Sequence, residues 1–501
     1  MAIKQLGEVG RATLLSAMNT MSVLRAASAQ THERLNRLEI LEQFREGGFM
    51  VQAPATASQV YPLHLGGLPL SDTGHHPSVL TRFSELNINE VLSRYENPYS
   101  GASSLAFQDA VVSFLPQVYQ DTQILQPEMI VPLTLKSQPT FYAQLLDDDP
   151  IILVEKPQLY TATFGQFLQQ RPNAEYVVFD ALRSGPTVID EMIQCATQIK
   201  ASSARQVILH SQLANPFSFE YPDSKIDLAV GALIQGVLDG VYEEDAYSDC
   251  RVSDQKAASL VLRYMSQAPE QAASNSLVWL ANTMSKSLRA PGLRMGWSVV
   301  PSGSAALKDQ SQMTQSSLPT MSLTMGAEIL SHSDHYLAQV PEIFERGSRC
   351  VKALMDEGLV DGNQALSQKG PFSWMDLSPM ADTLALSGEG LVTYLKEGDL
   401  NRSALLLHES SFNKGSLLPL FECERTQQYR AECHERTLSD SAQVRMAFAF
   451  QSDEEVAEFI QFMKQMRDHR DLRGSYVMAH PEHEQTQAFL PAQVHPDWGR
   501  A

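Results

Sequence analysis

Short apolar runs alternate with longer helical or polar stretches from about residue 128 onward, and this alternation constrains the fold more than any other feature of the chain. Strands at this spacing, joined by helical segments, predict a mostly parallel sheet covered by helices on both faces. Ligands bind such sheets beyond the carboxyl ends of the strands, so we expect a site in the loops that follow these runs. The predicted strands are residues 129–135, 150–154, 176–179, 206–209, 277–280 and 295–300.

Changes of pattern divide the 501 residues into four segments, since a chain of this length exceeds one hydrophobic core. Residues 1–60 carry apolar residues at helical spacing, which predicts an N-terminal helical extension. Residues 61–330 form the predicted large α/β domain, and helix followed by short strands predicts a smaller α+β domain over residues 331–480. The last segment, residues 481–501, is predicted to be a tail.

The composition excludes several classes of partner. A net charge of −20 argues against binding to nucleic acid or to an anionic membrane surface, because both repel a polyanion. The sequence has no charge-free stretch long enough for a membrane span and no apolar signal-peptide core, so we expect a cytoplasmic protein. Five cysteines without metal-type spacing predict neither disulfides nor zinc, and the adjacent pair His75 and His76 indicates a solvated loop. No metal is expected.

One lysine stands out in the segment from Asn282 to Trp297. Lys286 follows the apolar run 277–281, which we interpret as a buried strand that ends in a tight polar turn. A partly desolvated amine loses its proton more easily and can form a Schiff base with a carbonyl compound. A solvated surface loop is the alternative for a stretch of this composition.

The residues around this lysine can hold a phosphate. Thr283 and Ser285 provide hydroxyls and Arg294 provides a forked guanidinium. The order Thr-x-x-Lys, with arginine eight residues beyond the lysine and the sequence Pro-Gly-Leu-Arg-x-Gly, resembles the cofactor segment of the class I/II aminotransferases. These are fold-type I pyridoxal 5′-phosphate enzymes, and the resemblance implies that fold, that cofactor and Lys286 as the catalytic lysine.

The same resemblance implies further contacts with cofactor and substrate. Gly67 corresponds to a backbone position at the mouth of the site that meets the substrate carboxylate. Tyr95 corresponds to a tyrosine that reaches the cofactor phosphate of the other subunit. Tyr99 is its rival, because the spacing from Tyr95 to Gly101 is one residue longer than the family pattern. Ser137 and Gln138, after the first predicted strand, are assigned to cofactor binding.

Arg445 lies inside a predicted apolar strand, residues 443–450. A buried guanidinium needs an anionic partner, because an unpaired buried charge is costly. A structural ion pair and a substrate carboxylate are both possible from this pattern. The resemblance implies the substrate α-carboxylate.

The chain departs from the family pattern where an aspartate normally keeps the pyridine nitrogen of the cofactor protonated, with a tyrosine three residues later. Aligned on the strand 206–209, His210 takes the place of the aspartate and Leu213 that of the tyrosine. The asparagine-proline segment that meets the cofactor phenolate aligns with residues 180–187 and is altered too.

This alignment leaves about 75 residues between His210 and Lys286, which predicts an insertion over residues 218–272. Three aspartates within that segment are candidates for an alternative acid: Asp227, Asp239 and Asp245.

Three functions are compatible with these features. The first is an aminotransferase-like enzyme that acts on an α-amino acid through a Lys286 Schiff base and works as a homodimer. The second keeps the cofactor but performs elimination, replacement or carbon-bond formation, which a lost aspartate would favour. The third is a non-catalytic relic of the fold that binds or regulates.

Overall fold

The computed structural model describes the central part of the chain and parts of its C-terminal third. The described residues are 77–79, 81, 95–96, 102–134, 137–156, 167, 170–181, 185–211, 221–247, 256–290, 293–303, 318–338, 340–361, 372–388, 390–391, 394–395, 443–447, 453–479, 481 and 484. The predicted N-terminal extension, residues 1–60, lies outside them.

A seven-stranded sheet forms the centre of the molecule, with strand order β2-β8-β7-β6-β5-β3-β4. All strands run in one direction except β8, which is antiparallel to both of its neighbours. This confirms the predicted mostly parallel α/β fold. The strands are β2 (Ile130–Leu133), β3 (Ile151–Lys156), β4 (Glu175–Asp180), β5 (Val207–Ser211), β6 (Gly240–Glu244), β7 (Val278–Thr283) and β8 (Gly296–Val299), while β1 (Tyr95–Glu96) pairs separately with β9 (Leu318–Pro319).

Helices cover both faces of this sheet. The large-domain helices are α1 (Ala102–Val118), α2 (Gln138–Gln144), α3 (Val188–Ser202), α4 (Asp223–Ile234), α5 (Leu260–Gln267), α6 (Pro269–Ser274) and α7 (Thr320–Ser331), with 3-10 turns at Thr122–Ile124, Pro127–Met129 and Gly185–Thr187. One face of the sheet packs on a large core that includes residues from α1, α3, α4, α5 and α7. The other face packs on a smaller core that includes residues from α2 and Phe167.

The predicted insertion over residues 218–272 is corrected by the position of β6. This strand lies inside the segment and pairs in parallel with β5 on one side and β7 on the other. Helices α4 and α5, on either side of β6 in the sequence, pack into the large core. The segment is therefore a central part of the sheet rather than an addition to it, and β6 was missed because its carboxyl end is acidic.

A second hydrophobic core lies within residues 350–476, inside the segment predicted as the smaller domain. The predicted strands appear as β10 (Phe372–Asp376) and β11 (Gln443–Ala447), which form an antiparallel pair. None of the described helices is long and apolar enough to cross a bilayer. The remaining helices are α8 (Ser333–Leu337), α9 (Val340–Asp356), α10 (Ser378–Leu384), α11 (Asp453–Asp468) and α12 (Arg470–Ala479).

Candidate functional site

The carboxyl ends of β6 and β7 lie side by side, because the two strands are parallel neighbours. Glu244 is opposite Ala281 in their register, and the N–H of Asp245 extends the ladder by donating to the Ala281 carbonyl at 2.8 Å. The turn after β7 therefore lies next to the turn after β6. The ends of both strands and the turns that follow them contain buried polar side chains.

Lys286 lies in the turn after β7 and is almost completely buried, with 7% of its surface exposed. Its Nζ lies 5.0 Å from the centroid of the Tyr247 ring, which follows β6. An ammonium group over a tyrosine face is attracted by the ring quadrupole. The lysine is therefore buried rather than exposed on a surface loop, and Tyr247 lies beside it.

Hydrogen bonds tie the lysine turn to the start of β8. The Thr283 hydroxyl donates to Ser285 Oγ at 3.0 Å and approaches the Met295 carbonyl oxygen to 3.2 Å. The Met284 N–H donates to the same carbonyl at 3.1 Å. A Cβ at Gly296 would lie 2.3 Å from the Asn282 carbonyl oxygen, so only glycine allows this close approach.

Two arginines follow Lys286, and they differ in exposure. Arg294, which the sequence spacing assigned to a phosphate, is exposed and has a left-handed backbone with φ of 52°. Arg289 is 4% exposed and also left-handed, with φ of 53°. Two left-handed non-glycine residues in one short segment indicate a tightly wound connection. No local pattern singles out Arg289.

Two buried side chains meet on one face of the sheet next to this turn. Glu244 Oε2 lies 3.7 Å from Nε2 of His210, and this contact is a salt bridge when the imidazole is protonated. The His210 ring lies 5.3 Å from the Tyr242 ring and 5.7 Å from the Phe167 ring. The carboxylate of Glu244 is therefore held at the end of a largely aromatic, dry face of the sheet.

Asp245 occupies the opposite face, since side chains alternate along a strand. Its Oδ2 accepts a hydrogen bond of 2.9 Å from the hydroxyl of Tyr119, and that hydroxyl accepts one of 3.1 Å from Asn282 Nδ2. All three residues are buried. Of the three aspartates proposed as an alternative acid, Asp245 is the one at the carboxyl edge.

The other two aspartates are engaged elsewhere. Asp239 precedes β6 at the amino ends of the parallel strands, where its Oδ2 accepts a hydrogen bond from the Val207 N–H at 2.6 Å. Asp227 lies on α4 and accepts a hydrogen bond of 2.7 Å from Arg263. Neither is placed near the lysine turn.

Glu243 shares its face with Asp245 and caps helix α5. Its carboxylate accepts hydrogen bonds from Ser259 Oγ at 2.6 Å and from the N–H groups of Val261 and Leu260 at 3.0 and 3.2 Å. Burial, with a smaller contribution from the charge of Asp245, raises the pKa of Glu243 to about 7. The hydrogen bonds lower this pKa but do not offset the cost of burial.

We expect Glu243 to make stability depend on pH. Its folded-state pKa lies above the ordinary value of 4.5, so its stabilising effect is complete below pH 4.5 and is lost as the pH rises through about 7. Glu243→Gln removes this dependence, and its stability relative to wild type should improve by about 3 kcal/mol across that window. Urea unfolding at several pH values measures the difference, with exposed Glu270→Gln as the control. Parallel curves for wild type and Glu243→Gln would contradict the expectation.

The structure changes the strand on which the family pattern is aligned. His210 ends β5, but β6 rather than β5 is the neighbour of the lysine strand β7. Glu244 ends β6 and is followed three residues later by Tyr247. The acid-to-tyrosine spacing is therefore also present one strand later than the sequence alignment placed it, and Glu244 is a second candidate for the aspartate position beside His210. Leu213, which that alignment gave the tyrosine position, lies outside the described residues.

Ser137 and Gln138 lie at the start of α2. The Ser137 hydroxyl donates to the carbonyl of Thr134 at 2.9 Å. Gln138 is fully buried, and its Nε2 donates to the Asn282 carbonyl at 3.1 Å and approaches the Trp297 carbonyl to 3.3 Å. Gln138 therefore links α2 to the ends of β7 and β8, where the lysine turn begins.

Three predicted contacts have no described side chain. Gly67 and Tyr99 lie outside the described residues. Tyr95 and Arg445 are described only by their backbones, where Tyr95 pairs with Pro319 and Arg445 pairs with Trp374. Their assigned roles stay predictions.

Comparison with known proteins shows a likeness to one enzyme family. Residues 194–409 match the family profile described as aminotransferase class I and II. This segment of the chain is therefore similar to the class I and II aminotransferases. Members of that family depend on pyridoxal phosphate. No curated protein sequence matches it.

Solved aminotransferase structures share its fold. N-Succinyldiaminopimelate aminotransferase from Mycobacterium tuberculosis superposes with a TM-score of 0.61 at 15% identity, covering 85% of this chain and 99% of its own. The aromatic aminotransferase from Pyrococcus horikoshii OT3 gives 0.60 at 14%, covering 83% and 99%. Aspartate aminotransferase from Thermus thermophilus with maleate gives 0.59 at 14%, covering 88% and 98%. At such identities the likeness establishes the fold alone.

Proposed function

We propose that the chain is a pyridoxal phosphate-dependent aminotransferase of an α-amino acid, with Lys286 bonded to the cofactor. The observation that carries this proposal is the burial of Lys286 at the carboxyl end of β7, beside the buried carboxylates that end β6. A lysine in this setting is held in one place and is mostly removed from water, as a lysine that forms a Schiff base needs to be.

The side chains at this edge fit the functional groups of the cofactor. The Lys286 amine suits the aldehyde, and the hydroxyls of Thr283 and Ser285, 3.0 Å apart, suit the phosphate. Tyr247 lies beside the lysine and its phenol suits the ring oxygen. A buried carboxylate suits the ring nitrogen, and β6 ends in such a group.

We assign the role of ring-nitrogen acid to Glu244 rather than to His210. Glu244 has the family spacing to Tyr247 and lies on the strand next to the lysine strand. Asp245 is the rival, but its carboxylate points to the other face and receives the Tyr119 hydroxyl. His210 then lies next to this acid, with its Nε2 3.7 Å from Glu244 Oε2.

Lys286 and Glu244 have separate roles in the proposed reaction. When bound, pyridoxal phosphate withdraws electrons from the substrate Cα through its protonated ring. The Nζ of Lys286 would take up the proton that leaves the substrate Cα and would hold that proton for its return. Glu244 holds the charge that keeps the ring nitrogen protonated.

The remaining predicted residues complete the proposal. Arg445 receives the substrate α-carboxylate, Gly67 lies at the mouth of the site, and Arg294 assists at the phosphate. Ser137 and Gln138 support the phosphate side from α2. Tyr95 of the second subunit reaches the phosphate in a cytoplasmic homodimer. The substrate is a small-molecule amino acid, and neither a nucleic acid nor a membrane is a partner.

Glu244 also weighs against the second candidate function. Elimination or replacement chemistry was favoured because the ring-nitrogen aspartate was thought to be lost. A carboxylate is in fact at the end of the strand next to Lys286, so this reason falls away. Transamination is the function that the site supports best.

The purified protein tests this proposal directly. With pyridoxal phosphate it should turn yellow, lose the colour on borohydride treatment, and convert amino acids to keto acids with an aminated cofactor. Amines without an α-carboxylate should be rejected, because Arg445 would lack its partner. Ammonia release with unchanged cofactor would instead indicate elimination, and a colourless protein that does not take up cofactor would indicate a non-catalytic relic.

A further inference from the structure

Tyr119 joins three separate parts of the large domain through its hydroxyl. The residue follows α1 directly, and its hydroxyl donates to Asp245 Oδ2 at 2.9 Å while accepting from Asn282 Nδ2 at 3.1 Å. Asp245 follows β6 and Asn282 lies in β7. Only 1% of Tyr119 is exposed, so these bonds do not compete with bulk water.

Backbone hydrogen bonds hold Tyr119 in this position. The Ala257 N–H donates to the Val118 carbonyl at 2.7 Å, and the Gln120 N–H donates to the Ala257 carbonyl at 2.8 Å. The two bonds flank Tyr119 on both sides. The position of Tyr119 is therefore fixed by its own backbone, and its hydroxyl can hold the ends of β6 and β7 in place.

The network continues into the lysine turn. Asn282 Oδ1 accepts the Thr283 N–H at 2.6 Å, and Thr283 Oγ1 in turn accepts the Ser285 N–H at 3.2 Å. One chain of hydrogen bonds thus runs from Asp245 through Tyr119 to Ser285, the residue before Lys286. Its two ends are the two turns that carry the proposed catalytic groups.

We infer that Tyr119 is a positioning residue that locks the carboxyl ends of β6 and β7 together and so sets Glu244 and Lys286 relative to each other. The inference rests on the proposed function for its catalytic consequence. Tyr119 acts through Asp245 and Asn282. Packing of the aromatic ring is a separate contribution, which phenylalanine would keep.

Tyr119→Phe is the test, and Tyr142→Phe is its matched control. Both tyrosines are buried, and the Tyr142 hydroxyl also bonds to the β7 side of the sheet, donating to the Leu277 carbonyl at 2.9 Å. Leu277 precedes β7, so this bond lies at the amino end of the strand. Each variant loses one buried hydroxyl, and only Tyr119→Phe loses it at the end that carries the lysine turn.

Hydrogen exchange in the cofactor-free protein gives a readout that does not depend on activity. In Tyr119→Phe we expect exchange of amides at 243–247 and 281–286 to accelerate about tenfold, because a buried hydrogen-bond partner of both turns is lost. Tyr142→Phe should leave these amides at the wild-type rate. Unchanged exchange in Tyr119→Phe, or equal acceleration in both variants, would overturn the inference.

The loaded enzyme gives the second readout. In Tyr119→Phe we expect kcat to fall on the order of tenfold while KM for the amino acid changes little, because the hydroxyl aligns groups that act in the transition state. A rise in KM with unchanged kcat would overturn this part. If wild type itself takes up no cofactor, the proposed function fails, whereas the exchange experiment still decides the role of Tyr119. Should Tyr119→Phe not fold, Asn282→Ala breaks the same network on β7 and should give the same exchange pattern.

Discussion

Replacement of Lys286 by alanine is expected to lower kcat/KM by at least about 10⁴-fold, because it removes both the group that bonds the cofactor and the base that moves the Cα proton. The variant should still fold, since alanine is smaller and the turn around residue 286 is held by the hydrogen bonds of Thr283 and Met284. Pyridoxal phosphate should bind without a borohydride-reducible bond. Steady-state kinetics and mass analysis of the reduced protein measure the two effects.

Lys464→Ala serves as the control for this change. Lys464 lies on α11 in the second core region and pairs with Glu357 at 2.8 Å, so its loss should leave cofactor binding and activity at wild-type levels. Wild-type turnover in Lys286→Ala would refute the assignment of the cofactor lysine. It would also remove the basis for placing the site at the end of β7.

Replacement of Glu244 by glutamine is the second change with a large expected effect. Glutamine keeps the size of the side chain but not its charge, and we expect kcat to fall on the order of a hundredfold, the size of one lost charged hydrogen bond in a buried site. Glu244→Asp keeps the charge and should recover much of this activity. Kinetics and the visible absorbance of the loaded variants distinguish the two.

A matched control lies on the opposite edge of the same sheet. Glu175 starts β4, and its carboxylate pairs with Arg205 at 2.8 Å. Glu175→Gln should alter stability without altering kcat. If Glu244→Gln turned over amino acids like wild type while Asp245→Asn did not, the ring-nitrogen role would pass to Asp245.

The strands that sequence patterns predicted are those whose buried residues are apolar. β7 begins Val278-Trp279-Leu280, and its burial is visible from composition alone. β6 is buried at every position as well, but its carboxyl end reads Tyr242-Glu243-Glu244. A sequence does not show that such acids are buried, because the groups that compensate them come from distant segments.

Those compensating groups explain why the sequence patterns did not bring out Glu244 as a candidate acid of the proposed site. Glu243 is satisfied by the start of α5, and Asp245 by Tyr119, which lies 126 residues earlier in the chain. Without β6, the family pattern was aligned on β5, and the acid position fell on His210. The lysine turn needed no such long-range information, since its strand and its hydroxyls are contiguous.

The exposure of Arg294 and the burial of Arg289 also could not be predicted from the sequence. Both follow the lysine closely, and only backbone conformation decides which side chain turns inward. Both have positive φ, which no local pattern indicated because neither is glycine or asparagine.

The antiparallel pairing of β7 with β8 makes the lysine segment the connection of a β-hairpin. Thr283 is opposite Gly296 and Asn282 is opposite Trp297, so every residue from 284 to 295 belongs to one closed loop. A slip of one residue would turn the Trp297 indole away from the rings of Phe114 and Phe107, 5.8 and 6.3 Å away, and onto the other face of the sheet. The register of β7 with β8 therefore fixes the two ends of the connection that carries Lys286 and Arg294.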